Sequence, residues 1–125
     1  MRLSIAAAAA VVALALAGCH HGPPAMPTQA FVAEGVTMKL EPAAAPNCKP
    51  DTTYSATLTW TVKSDLPKTD VRLESPTGPL FARSNDEKAH QETGNWVKPG
   101  LWFVLLNREG DTVLGAIQAG PKPCP

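Results

Sequence analysis

Few side chains in this 125-residue chain are equipped for chemistry: three cysteines, three histidines and a scatter of acids and hydroxyls. His90 has the most company. It stands in the polar stretch 84–92 (SNDEKAHQE), with Asp86, Glu87 and Glu92 close in sequence, so a Ser84/His90/Asp86 set of nucleophile, base and acid can be drawn. Nucleophilic catalysis asks for more than these residue types, because the hydroxyl must be exposed on a strained turn and faced by oxyanion donors. No such glycine turn surrounds Ser84, and the stretch reads as a solvated loop. Asp86 and Glu87 lack the alternating oxygen ligands of a calcium loop. His20 and His21 are adjacent, but no third ligand stands near them. There is no phosphate-cradling glycine loop, no CxxC and no HExxH. The expectation is a chain with no catalytic residue, no metal and no bound cofactor, a non-enzyme.

Chemistry of another kind is written at Cys19. Arg2 gives a short positive start, and Leu3 to Ala17 is apolar except for Ser4. A membrane-crossing helix needs roughly 20 apolar residues, so this run suits the core of a signal peptide. It ends in Leu16-Ala17-Gly18-Cys19, which resembles the lipobox of bacterial lipoprotein signal peptides. Small residues at 17 and 18 also suit an ordinary signal-peptidase site; the leucine three residues before the cysteine separates the two readings. The resemblance implies cleavage after Gly18, a thioether-linked diacylglycerol on Cys19 and an acyl chain such as palmitate on the new amino group. Two or three chains hold a protein to a bilayer, at about 0.8 kcal/mol per buried CH₂. His20 stands where inner-membrane retention signals carry aspartate, which implies the outer membrane.

Removing 18 of 125 residues leaves 107, enough for one domain and a linker. The full chain balances 11 basic against 11 acidic residues; without Arg2 the count is 10 against 11. No run of Lys or Arg occurs along the chain, so nucleic acid and anionic lipid headgroups find no electrostatic support. With Cys19 lipidated in an exported protein, Cys48 and Cys124 remain as an even pair in an oxidising compartment. Bridged, they clamp the first segment of the domain to its last, at about 4 kcal/mol in the chain-entropy description. The alternative is two free thiols.

The elements that must position these groups are strands. Residues 20–28 (HHGPPAMPT) form an extended tether. Residues 36–41 alternate as a first strand, and the prolines of 42–50 break it. Tyr54, Ala56, Leu58, Trp60 and Val62 share one parity over 54–63, with Ser55 and three threonines on the other: a half-buried antiparallel strand anchored by Trp60. Further extended segments follow at 70–74, 80–83, 93–97, 101–107 and 112–119, separated by turn signals such as Pro76-Thr77-Gly78-Pro79 and Lys98-Pro99-Gly100. No helical period follows residue 19. The chain thus divides into a signal peptide (1–18), a lipidated N-terminus and Pro/Ala-rich tether (19–35) and an all-β sandwich domain (36–125).

Val97-Lys98-Pro99-Gly100-Leu101-Trp102-Phe103-Val104-Leu105 resembles the corner of a fibronectin type III domain, which reads apolar–x–Pro–Gly–x–x–aromatic–x–apolar. Trp60 late in the second strand and the alternation of Val71 and Leu73 fit the same pattern. The resemblance spans about 36–119 and implies an immunoglobulin-like antiparallel sandwich of about seven strands. Phe103 replaces the corner tyrosine, so the hydroxyl-to-backbone bond of that corner is missing. Such folds host many unrelated binding roles.

If Leu101, Phe103 and Leu105 face the core, strand parity sends Trp102, Val104 and Leu106 to the opposite face, where a sandwich is normally polar. With Trp96 and Leu114 or Ile117 nearby, these residues would form an exposed patch for an envelope protein or glycan. Two alternatives are a tether that folds back over this face and a parity flip at a bulge. The expected function is a lipid-anchored envelope module, with a membrane and an envelope protein or glycan as partners and no nucleic acid. A competing class is a periplasmic enzyme inhibitor or immunity-type lipoprotein acting through loop 84–92.

Overall fold

The computed structural model describes residues 28–47, 49 and 51–120. Cys19, Cys48 and Cys124, with the lipidation and the disulfide expected there, lie outside the described residues, as do His20 and His21. Eight antiparallel strands run in order: β1 (Phe31–Val32), β2 (Thr37–Glu41), β3 (Thr57–Thr61), β4 (Thr69–Leu73), β5 (Leu80–Ser84), β6 (Lys88–Glu92), β7 (Trp102–Asn107) and β8 (Val113–Gln118). They form a five-stranded sheet, β1-β8-β7-β4-β5, and a three-stranded sheet, β2-β3-β6. Among the described residues there is no helix.

One apolar core joins the two layers. From the smaller sheet come Leu40, Leu58 and Trp60, and from the larger Val71, Ala82, Phe103, Leu105 and Leu114. The parity read over 54–63 holds: Tyr54, Ala56, Leu58, Trp60 and Val62 are all buried. Trp60 also ties the layers by a polar contact. Its indole Nε1 donates to Thr69 Oγ1 at 3.0 Å, and both residues are almost wholly enclosed. An indole N–H shut away from water needs such an acceptor, which explains a threonine at a fully buried position. The Pro99-Gly100 turn takes Gly100 into the left-handed region (φ +91°), where a side chain is strained. It delivers Phe103 into the core.

Two strands depart from the sequence expectation. Residues 84–92 are not a solvated loop: only 85–87 turn the chain, and 88–92 form β6, paired in full with β3 (Thr57↔Glu92 through Thr61↔Lys88). Its residues show no apolar alternation because β6 is the rim of its sheet, and it is held by ladder bonds rather than burial. Ala89, opposite Trp60, is the one side chain it packs on the core. At the other end, Phe31 and Val32 within the expected tether pair with Ala116 and Gly115 of β8. Ala33 N–H adds a bond to Leu114 O at 2.8 Å.

Candidate functional site

Strand register places a defined set of residues on the face of the larger sheet that points away from the core. Val104 of β7 lies beside Ala116 of β8 and Arg72 of β4; beyond them, Phe31 stands opposite Ala116 and Leu80 opposite Arg72. One row therefore reads Phe31–Ala116–Val104–Arg72–Leu80, roughly 19 Å across five strands at about 4.8 Å each. The neighbouring row is Val113–Leu106–Asp70–Arg83, and Trp102 lies opposite Gln118 in the row on the other side.

The sequence expectation that Trp102, Val104 and Leu106 share the face opposite the core agrees with this arrangement. Val104, Leu106 and Ala116 form a second apolar cluster, with Trp102 and Val113 packed against it, separate from the main core. The expectation of an exposed patch needs correction. Val104 and Leu106 are 0 % and 2 % exposed. Trp102 is half-buried, and the apolar surface open to solvent lies at the ends of the long row, at Phe31 and Leu80. Trp96 belongs elsewhere. Its ring meets Phe81 edge-on at 5.6 Å, and Phe81 meets core residue Phe103 at 5.7 Å, so Trp96 closes the rim of the main core. Leu114 and Ile117 also pack on the core side.

Beside Leu106 stands a feature the linear sequence hides. Asp70 is only 5 % exposed, and three arginines converge on it. Arg83 grips the carboxylate with two bonds, Nε to Oδ1 at 2.8 Å and Nη2 to Oδ2 at 3.0 Å. Arg108 donates Nε to Oδ1 at 3.1 Å and fixes its other nitrogens on Asn85 Oδ1, Thr69 O and Ser84 O. Arg72 donates Nη1 to Gly78 O at 3.0 Å and holds Nη2 at 3.9 Å from Asp70 Oδ2. These are all the arginines of the chain apart from Arg2. Asp70 is held below the usual carboxylate range, chiefly by the hydrogen bonds from Arg83 and further by Arg108, against an opposing push from burial; Arg83 is raised in turn by Asp70. Three guanidinium groups against one carboxylate leave two positive charges in excess at one spot.

Ser84, Asp86 and His90 line one cleft, but among the described residues no hydrogen bonds join their side chains as a triad. Ser84 Oγ accepts from the Asp86 backbone N–H at 3.0 Å and is occupied in a local turn. His90 lies exposed on β6, and among the described residues no hydrogen bond joins it to Ser84 or Asp86. A polar cleft of about 480 Å³ lies along 83–91, with the edge of Trp60 among its walls. Of the stretch 84–92, named for an inhibitor's contact, residues 85–87 form a turn and 88–92 the paired strand β6. Among the described residues, no three His, Cys, Asp or Glu side chains are grouped as metal ligands. Comparison with family models, with curated proteins and with solved structures finds no match to this chain.

Proposed function

We propose that this chain is a lipid-anchored module of the bacterial envelope that docks a protein partner on the outer face of its larger sheet and performs no chemistry of its own. The observation that carries the reading is the composition of that face. An enclosed apolar centre (Val104, Leu106, Ala116) is flanked by half-buried Trp102, by exposed Phe31 and Leu80, and by three arginines. Tryptophan and arginine are the residues on which binding energy concentrates, and a sandwich face turned to solvent is normally lined by simpler polar side chains. The strand order supports the immunoglobulin-like, type III assignment of the sandwich. β8-β7-β4-β5 follows the order of a sheet built from the last, penultimate, third and extra strands of such domains, and β2-β3-β6 that of its partner sheet.

The disulfide and the anchor belong to the same reading. Ala44 bridges Gly120 in parallel, with Ala45 N–H to Gly120 O and Gly120 N–H to Ala43 O both at 3.0 Å. Cys48 follows Ala44, and Cys124 follows Gly120, by the same four residues, which supports their pairing.

The test is site-specific photocrosslinking in intact cells from Trp102 and Leu80, with Thr59 on the exposed face of the smaller sheet as control. One protein species captured from both positions, and lost in Trp102→Asp protein that still folds, supports docking through this face. Equal capture from Thr59, or none from either site, overturns it.

A further inference from the structure

The arginine cluster is larger than its structural task requires. Asp70 Oδ1 already accepts two bonds, from Arg83 and Arg108, and the bidentate Arg83 contact alone balances its charge. Arg108 is spent inward, on Asn85 and two backbone carbonyls. The Arg83 side chain is half exposed, and among the described residues its Nη1 has no partner. Arg72 is also partly open, with Nη2 3.9 Å from Asp70 Oδ2 and beyond hydrogen-bonding distance. The two guanidinium groups flank Asp70 along and across the sheet: Arg83 is its register partner on β5, and Arg72 lies two residues on along β4. Leu80, exposed, is the register partner of Arg72.

We propose that this corner is a seat for a carboxylate side chain of the docked protein, taken by Arg83 and Arg72 while an apolar neighbour of that acid packs on Leu80. Asp70 and Arg108 are positioning residues: they hold the two forks at fixed places before the partner arrives. Charge complementarity selects an acidic protein segment, because an excess of two positive charges is concentrated here in a chain whose 11 basic and 11 acidic residues cancel overall. Guanidinium forks match the planar carboxylate two bonds at a time. The inference rests on the docking reading and names the chemistry of its partner.

The experiment uses the full chain in neutral detergent and two labelled dodecapeptides, one with an Asp-Leu-Glu-Phe centre and a twin with Asn and Gln for the acids, read by fluorescence anisotropy. The acidic peptide is expected to bind and to weaken with added salt, and the twin to bind at least tenfold less tightly. Arg83→Gln and Arg72→Gln should each weaken binding by roughly fivefold, as losing one charged contact does, while Lys63→Gln leaves it unchanged. Equal binding of the twin, unaltered binding in both arginine variants, or an equal loss in the Lys63 variant overturns the inference. Arginine-dependent binding of phosphatidylglycerol vesicles or inorganic phosphate, with none of the peptide, overturns it as well. Crosslinks that persist at Trp102 and Leu80 in the Arg83 and Arg72 variants would remove the seat and leave the docking face standing.

Discussion

Replacing Asp70 by asparagine tests the electrostatics of the outer face at their centre. The substitution keeps the shape, removes the charge and turns an amide NH₂ toward guanidinium groups. Three charge-assisted bonds end on the carboxylate, at 2.8, 3.0 and 3.1 Å. Bonds to charged groups contribute about 1.5 to 3 kcal/mol each where solvent is excluded. Two of the three come from a half-exposed arginine and are screened, so they add little. The third comes from the more enclosed Arg108, and a loss of about 2 kcal/mol follows for the whole substitution, below the range for breaking a fully buried pair. In a domain of this size that lowers Tm by roughly 10 °C. The pH dependence carries the sign. Asp70 is depressed in the folded state, so its contribution is complete above its unfolded value near about 4 and is lost as pH falls through the lower folded value. Urea unfolding of both proteins from neutral pH down to about pH 2 should show a stability gap that is constant at first and then closes. A gap that stays constant to the acid limit, or an Asp70→Asn variant as stable as the parent at neutral pH, refutes the reasoning.

Four other outcomes test the remaining contacts and the proposed bridge and anchor. Thr69→Val leaves the Trp60 indole N–H without its acceptor and should cost about 1 to 2 kcal/mol in urea unfolding, a penalty that disappears when Trp60 is changed to Phe beforehand. Val104→Ala should cost about 2 kcal/mol although the residue lies outside the main core; a cost under about 0.5 kcal/mol would mean the outer cluster is loosely packed. Mass spectrometry of intact protein should find Cys48 joined to Cys124, with reduction lowering stability by about 4 kcal/mol or somewhat less, and Cys19→Ala should move the protein from the membrane to the soluble fraction.

What could be read from the chain alone followed the reach of each physical signal. Tyr54, Ala56, Leu58, Trp60 and Val62 announced their strand because one face is buried and the other is not, and burial imposes a period of two. The opposition of Trp102, Val104 and Leu106 to Phe103 and Leu105 came from the same rule. β6 was invisible because Lys88, His90 and Glu92 all face solvent, and a rim strand is specified by its partner's backbone rather than its own pattern. The enclosure of Val104 and Leu106 was out of reach for a related reason. Parity assigns a face but does not say which side chains of adjacent strands will flank it. Arg72, Arg83 and Arg108 stand on β4, on β5 and in the turn after β7; only the ladders that pair β4 with both neighbours bring them to one carboxylate. Counting charges along the chain therefore missed the one place where they concentrate.

The short β1 ladder would have a mechanical consequence if the protein is held, as proposed, by its leading end. Among the described residues, tension on such an anchor would meet first Phe31 and Val32, where two register pairs and one further bond to Leu114 resist it, while the five pairs joining β2 to β3 lie behind. Under pull, β1 should peel away like a tear strip while the core stays shut. Freed residues 28–35 would then lengthen the leash by up to about 27 Å at roughly 3.4 Å per residue, with Val36 kept in the core. If the chain is anchored and docked as proposed, a load-dependent reach of that kind would let the module follow a partner that moves away from the bilayer without unfolding.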